Sequence, residues 1–172
     1  DLATGTTAAK YKSAAEKVTG VLCADVDQMH PRGQGSVDII ITSTAGEAGE
    51  ELLQKVAEAV EEIRGEYDNL LIKSAVTVYQ DLDIMIELPE LISGDGVEER
   101  TRYAVENYFR VSTSRKLNEL VLLDLYIGIK QEIPVLKNIK INDPAGDIKL
   151  AKGNVILLGQ LNVTVIWEGE DV

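Results

Sequence analysis

The sequence contains very little of the chemistry on which enzymes and disulfide-stabilised proteins depend. Its 172 residues include one cysteine and one histidine. A single cysteine excludes an internal disulfide, so the fold must depend on its hydrophobic core. No apolar run approaches the roughly 20 residues that a membrane helix needs, and no signal-like segment is present. We therefore expect no membrane insertion.

Basic residues are also scarce. The 29 acidic residues outnumber 17 basic ones, and the formal net charge is −12. Binding a nucleic-acid backbone requires clustered lysine and arginine. Here these residues are scattered, and the nearest approach to a cluster is Arg110, Arg115 and Lys116. The composition therefore argues against a nucleic-acid partner.

The size and composition of the chain are those of a folded protein. Apolar residues make up 45% and charged residues 27%, which is ordinary for a globular domain. A chain of this length holds one substantial domain or two small ones. Since the sequence begins at Asp1 without a methionine, we expect an N-terminal region of the parent protein to lie upstream.

The first half of the chain reads as alternating helices and strands. Leu52, Leu53, Val56 and Val60 repeat at helical spacing, and acidic residues precede them, as the helix dipole favours. Alternating apolar residues predict strands, and a turn rich in proline and glycine at 31–35 makes the first two strands a hairpin. The predicted elements are a helix over 6–17, a half-buried strand over 21–29, a more fully buried strand over 37–42, a helix ending at Gly65, and a strand over 72–88 that is continuous or bent near Gln80 and Asp81.

The second half repeats a similar order after a loop at Pro89–Gly96. The pattern predicts helices over 97–109 and 117–132, then strands over 135–141 and 155–167. The predicted fold class is α/β (α+β): two small related subdomains, 1–90 and 91–172, with mixed sheets and crossover helices.

Neither His30 nor Cys23 belongs to a recognisable catalytic arrangement. A histidine general base needs partners within hydrogen-bonding reach, and nothing near His30 in the sequence provides them. Cys23 alternates within a strand, where a free cysteine usually behaves as a small buried hydrophobe. We interpret His30 as a turn residue and Cys23 as a packing residue.

Acidic residues on strands are the remaining candidates for a site. Asp25, Asp27 and Asp38 could gather carboxylates for a divalent cation, and Asp81 and Asp83 form a second group. Both groups lie on strands and not on a cation-binding loop, so a solvated face is the favoured interpretation. The sequence Pro31–Gly35 lacks the Lys-Ser/Thr of a phosphate loop and leads into a strand. We predict no catalytic, cofactor-binding or metal-binding residue, and no cofactor.

A series of short motifs resembles the family of J-like baseplate proteins, found in contractile phage tails and related injection machines. Their order and spacing carry the resemblance. The motifs are Gly5, Ala9, Tyr11, Ala14, Val18, Gly20 and Val21, then Pro31, Gly33 and Gly35 before 37–41, followed by 82–88, 117–135, 142–144, 153–155 and 161–165.

The resemblance implies a structural role and no enzymatic activity. Members of this family form part of the baseplate wedge and link wedges around the central hub. It implies other wedge proteins and a second copy of the chain as partners. The expected location is a virion or a prophage-derived contractile injection particle, assembled in the host cytoplasm.

Two other classes of function stay open on the sequence alone. One is a small-molecule-binding α/β regulatory domain, which would need a concave apolar pocket with convergent polar groups. The other is a hydrolase that uses the strand carboxylates. Neighbouring genes for tail sheath, tube and spike proteins would favour the baseplate role over both.

Overall fold

A computed structural model describes the backbone of residues 2–170 and the side chains of residues 7–170. Helices and strands alternate along this part of the chain, which confirms the predicted α/β class. The helices are α1 (Leu2–Glu16), α2 (Glu50–Glu61), α3 (Val97–Tyr108) and α4 (Leu122–Glu132). The strands are β1 (Val21–Asp27), β2 (Ser36–Ser43), β3 (Asn69–Ser74), β4 (Val76–Leu88), β5 (Glu119–Leu120), β6 (Asn138–Asp143), β7 (Ile148–Lys149) and β8 (Asn154–Trp167).

These elements form two compact units whose segments interleave along the chain. The first unit contains residues up to 77, 111–118 and 151–155, and the second contains 78–110, 119–150 and the residues from 156 onward. The division into subdomains 1–90 and 91–172 stays a prediction. The structural similarity of these two halves also stays a prediction. The predicted end points Asp1 and Val172 lie outside the described residues.

The first unit is built on a mixed three-stranded sheet in the order β1-β2-β3. β1 and β2 pair antiparallel with Val26 opposite Ile39, which confirms the predicted hairpin. β2 and β3 pair parallel with Ile39 opposite Ile72, so the segment containing α2 is a crossover connection. β2 is buried along nearly its whole length, as predicted. Its inward residues join Tyr11 of α1 and Val56 of α2 in one apolar cluster.

Local sequence signals explain where the helices of the first unit begin and end. Glu50 and Glu51 occupy the first turn of α2, where carboxylates complement the positive end of the helix dipole. After α1, Gly20 adopts a φ of +104°, a backbone conformation that favours glycine. This conformation turns the chain from α1 into β1.

The second unit contains a three-stranded sheet in the order β6-β4-β8 and a two-stranded sheet of β5 and β7. β4 and β6 pair antiparallel with Ile86 opposite Ile139. α3 and α4 pack against each other. The buried residues form a second apolar cluster: Leu82, Ile84, Ile86, Leu88, Val97, Ala104, Val105, Phe109, Leu120, Leu125, Ile129, Ile133, Leu136, Ile141 and Ile156.

The strand predicted over 72–88, either continuous or divided near Gln80 and Asp81, is two strands that are divided elsewhere. The break lies at Ala75, because β3 and β4 belong to different sheets. The Ala75 N–H donates to the carbonyl of Ile41, whereas the next N–H, of Val76, donates to Gly153 (both 2.8 Å). Val76 is 56% exposed, although the alternation of apolar residues at even positions predicts that it is buried. Pairing of β4 with β6 begins only at Asp83, next to Leu82, the first buried residue of the alternation in β4.

The start of α4 was predicted at Leu117, and this is also wrong. Residues 119–120 form β5 instead, paired with β7. The helix begins at Leu122, whose N–H donates to the Asp147 carboxylate at 2.9 Å. Such a bond satisfies one of the donors that a helix N-terminus leaves free. Among the described residues, no helix is long and apolar enough to cross a membrane.

Candidate functional site

His30 lies in the turn between β1 and β2, as the sequence predicts. Its φ is +57°, and its Nδ1 accepts a hydrogen bond from the Gly35 N–H at 3.3 Å. Among the described residues, Gly35 is the hydrogen-bond partner of the His30 imidazole. The ring therefore closes a turn and is not oriented by a carboxylate, as a general base would be.

The same turn positions Arg32 over the sheet of the first unit. The Ser36 hydroxyl accepts from the Arg32 N–H at 2.9 Å and donates to the Gly33 carbonyl at 2.6 Å. The Arg32 guanidinium then donates to the Asp38 carboxylate at 2.7 Å and to the Asn69 carbonyl at 2.9 Å. The glycine-rich turn thus holds a cation against β2 and β3, and does not form a phosphate loop.

Asp38 is the centre of the most strongly buried charged group in the described chain. Its side chain is 2% exposed, with Oδ1 bound by Arg32 at 2.7 Å and Oδ2 by Lys73 at 3.1 Å. Burial by itself would raise the pKa of this carboxyl, but the hydrogen bonds from Arg32 and Lys73 outweigh it and hold the pKa below its ordinary value. Asp38 is therefore ionised and paired.

Two of the three carboxylates weighed for a divalent cation in the sequence bind groups of the protein itself. Asp27 lies opposite Asp38 in the register, but its Oδ1 accepts from the Met29 N–H at 3.0 Å. Both oxygens of Asp38 already bind cations of the protein itself. Within residues 7–170, no group of three or more potential ligands could hold a metal ion.

Asp81 and Asp83 also bind neighbouring protein groups. Asp81 Oδ1 accepts from the Gln160 N–H at 2.7 Å, and Asp83 Oδ1 accepts from the Asn162 amide at 3.0 Å. Both contacts join β4 to β8. A Cβ at Gly159 would overlap the Asp81 carboxylate, so a larger residue there would displace this side chain. These two carboxylates position a strand.

Cys23 is a half-buried residue of β1. Burial is the main cause that raises the pKa of its thiol, and the nearby charge of Asp25 adds to it, while a hydrogen bond with Thr42 acts in the opposite direction. A raised pKa keeps the sulfur protonated, whereas a nucleophilic cysteine needs the thiolate. The environment of Cys23 therefore disfavours catalysis.

Tyr11 makes a polar contact that the sequence analysis did not anticipate. Its side chain is buried, and its hydroxyl donates to the Asp68 carboxylate at 2.5 Å and accepts from the Gly65 N–H at 2.8 Å. Burial and the bond to Asp68 raise the pKa of this phenol. The contact joins α1 to the turn that precedes β3. The presence of Tyr11 among the family-like motifs was the one signal for it.

The exposed surface of the described residues carries several large apolar side chains. Leu91 is 95% and Tyr67 85% exposed. A groove of about 710 Å³, open to solvent, is lined by residues in and just after α1 and α2. They include alanine and aliphatic side chains together with Lys10, Ser13, Lys17 and Glu62.

Comparison with known proteins gives a family match and likenesses to solved structures. Residues 3–73 match the family model described as the baseplate J-like central domain. The fold is similar to a chain in the cryo-EM structure of the anti-feeding prophage (AFP) baseplate, with a TM-score of 0.57 and 11% sequence identity over 89% of this chain. The present chain spans 36% of that chain. A search of curated proteins found no match.

Proposed function

We propose that this chain is a J-like baseplate protein, a structural component of the baseplate of a contractile phage tail or a phage-derived injection particle. The family match over residues 3–73 carries the proposal. In this role the chain links wedge subunits around the central hub. The fold likeness to the anti-feeding prophage baseplate chain supports the same class of particle.

The partners we propose are other wedge proteins and a second copy of the chain in the assembled particle. The proposed location is the tail baseplate, assembled in the cytoplasm of the bacterial host. A net charge of −12 on each copy opposes self-association in free solution at low salt. We therefore expect the isolated chain to be a monomer or weak dimer until its partners are present.

The use of the reactive side chains supports a structural and non-enzymatic role. The pKa of Cys23 is raised by burial, His30 closes a turn, and the ionised Asp38 is paired with Arg32 and Lys73. Asp81 binds the backbone of the adjacent strand. Each group that could serve catalysis stabilises the local fold instead.

A deletion and complementation experiment tests the proposed function. Particles would be purified from the producing bacterium after deletion of the gene, with plasmid-borne wild-type protein as the control. We expect deletion to yield tails without complete baseplates in electron micrographs, and complementation to restore them. Intact, contractile particles from the deletion strain would contradict the proposal.

A further inference from the structure

The two edge strands of the sheet in the first unit differ in the partners of their outward backbone N–H and C=O groups. At the β1 edge, the Ala24 N–H donates to the Glu16 carboxylate at 3.2 Å and the Ala24 carbonyl accepts from the Lys12 ammonium at 2.6 Å. Lys12 and Glu16 also bind each other at 2.6 Å. Side chains of α1 thus occupy the outward hydrogen-bonding groups at the centre of β1. Natural sheets commonly protect an edge in such ways.

At the β3 edge the outward groups are left open. The Asn69 N–H donates to Gly35 and the Ala75 N–H to Ile41, both at 2.8 Å. Since ladder bonds alternate along a strand, Leu70 and Ile72 turn their N–H and C=O groups away from β2. β3 is the last strand of its sheet. In the described part of this sheet β3 pairs with β2 alone, so no neighbouring strand takes the outward groups of Leu70 and Ile72.

The surroundings of this open edge are apolar and acidic. Leu71 is 39% exposed on the outer face of β3, and Tyr67 is exposed just before the strand. A depression of about 470 Å³ lies at the start of β3, lined by Glu61, Arg64, Glu66, Tyr67, Asp68, Asn69 and Leu70. It contains three carboxylates and one guanidinium, and that guanidinium binds Glu61. The edge therefore presents backbone groups beside a net negative charge.

We propose that the β3 edge binds an extended segment of another baseplate protein, one that carries lysine or arginine and adds as a fourth strand next to β3. The open row of backbone donors and acceptors fits an extended chain, as in other cases of strand addition. The acidic depression fits basic side chains on that segment. A second copy of this chain is disfavoured as the occupant, because it would bring the same carboxylates and a further charge of −12. The inference rests on the proposed function for the source of the strand.

Proline substitutions at the two edges test this proposal. Ile72→Pro removes an outward N–H without breaking the ladder with β2, and its ring obstructs an incoming strand. Val26→Pro is the matched control, because alternation from Ala24 places its N–H outward on the β1 edge. Each variant and the wild-type chain would be co-expressed and purified with the remaining baseplate proteins of the particle. Circular dichroism would establish that both variants fold.

We expect Ile72→Pro to weaken binding about tenfold or more, and Val26→Pro to leave it unchanged. Binding of the wild type should also weaken as salt is raised. If Ile72→Pro binds as well as wild type, the inference is wrong while the proposed function survives. If the wild type binds none of the baseplate proteins, both are wrong.

Amide hydrogen exchange gives a second readout that needs no variant. In the free chain, Leu70 and Ile72 should exchange fast, while Leu71 and Lys73, whose N–H groups face β2, should be protected. In the complex all four should be protected. Equal protection of the four amides in the free chain, or protection of Leu70 and Ile72 through a homodimer, would overturn the proposal.

Discussion

The two compact units bury different kinds of side chain. The first unit buries Ser36, Asp38 and Thr42 together with its apolar cluster. In the second unit, the buried polar side chain among the described residues is Thr101, whose hydroxyl donates to the Val97 carbonyl one turn earlier in α3. The first core thus depends on polar partners from distant elements, and the second depends on apolar packing.

The position of β2 explains this difference. β2 is the central strand of its sheet and is buried on both faces, so Asp38 cannot reach bulk water. A buried charge is tolerated only when it is paired and hydrogen-bonded. Because Arg32 comes from a turn and Lys73 from β3, the pairing requires one arrangement of the strands. We interpret the ion pairs of Asp38 with Arg32 and Lys73 as contacts that fix the register of the strands, although burial of the charge is itself unfavourable.

The largest effect is expected from an apolar truncation in the second unit. Ile86→Ala removes a fully buried side chain from the cluster around β4 and should destabilise the protein by about 2 to 5 kcal/mol. Urea unfolding measures this change in free energy. Ile127→Ala, at an exposed position of α4, is the matched control and should cost less than about 0.5 kcal/mol. Equal effects of the two variants would contradict the assigned core.

The next largest effect is expected at Asp38. Asp38→Ala leaves Arg32 and Lys73 without their shared partner, but both are partly exposed and can be hydrated. We therefore expect a loss of about 2 to 3 kcal/mol, below that of breaking a fully buried pair. Asp25→Ala, a substitution on the same face of the sheet, should stay within about 0.5 kcal/mol. A neutral Asp38→Ala would show that the buried charge contributes nothing to the fold.

The lowered pKa of Asp38 also predicts a pH dependence. The folded state binds a proton at this carboxyl less readily than the unfolded chain, so the associated stability is present above the unfolded pKa of about 4. It should be lost as the pH falls through the folded pKa. Unfolding free energies measured between about pH 6 and pH 2 should decline less for Asp38→Ala than for the wild type. Parallel declines would contradict the prediction.

A smaller effect is expected at Tyr11. Tyr11→Phe keeps the buried ring but leaves the Gly65 N–H and the Asp68 carboxylate without their shared partner. Loss of a hydrogen bond of this kind costs about 1 to 2 kcal/mol. Tyr67→Phe, at an 85% exposed position, should be neutral. Thermal unfolding of both variants compares them, and identical melting temperatures would exclude a role for the hydroxyl.

The smallest effect is expected at Gly159. Gly159→Ala places a methyl group against the Asp81 carboxylate and should cost about 1 kcal/mol, since the carboxylate must move and release the Gln160 N–H. In the Asp81→Ala background the added methyl group meets no carboxylate, so Gly159→Ala should destabilise the protein less there than in the wild type. A double-mutant cycle in chemical unfolding measures the coupling. Strict additivity would show that the two groups do not interact.

The sequence predicts those parts of the fold that depend on periodicity. The spacing of Val56 and Val60 places α2, and alternating residues place β1, β2 and β8. The two-residue strands β5 and β7 are too short to show a period, so they were missed. The break at Ala75 also went unseen, because alternation continues across it while the hydrogen-bond partners change.

The polar contacts could not be predicted, for a different reason. Tyr11 and Asp68 are 57 residues apart, and no local pattern joins them. From the sequence, Asp38 is interpreted as part of a solvated face, because it lies on a strand and not on a cation-binding loop. Its burial follows from the central position of β2, which depends on the pairing of β2 with both neighbours. Individual side chains in such contacts are identified only once the tertiary fold is known.

A cryo-EM reconstruction of the intact particle is the strongest test of the proposed structural role. We expect density for this fold in the baseplate, in contact with neighbouring subunits, and with an added strand beside β3. Density for the chain outside the baseplate, or particles that are complete without it, would contradict the structural role.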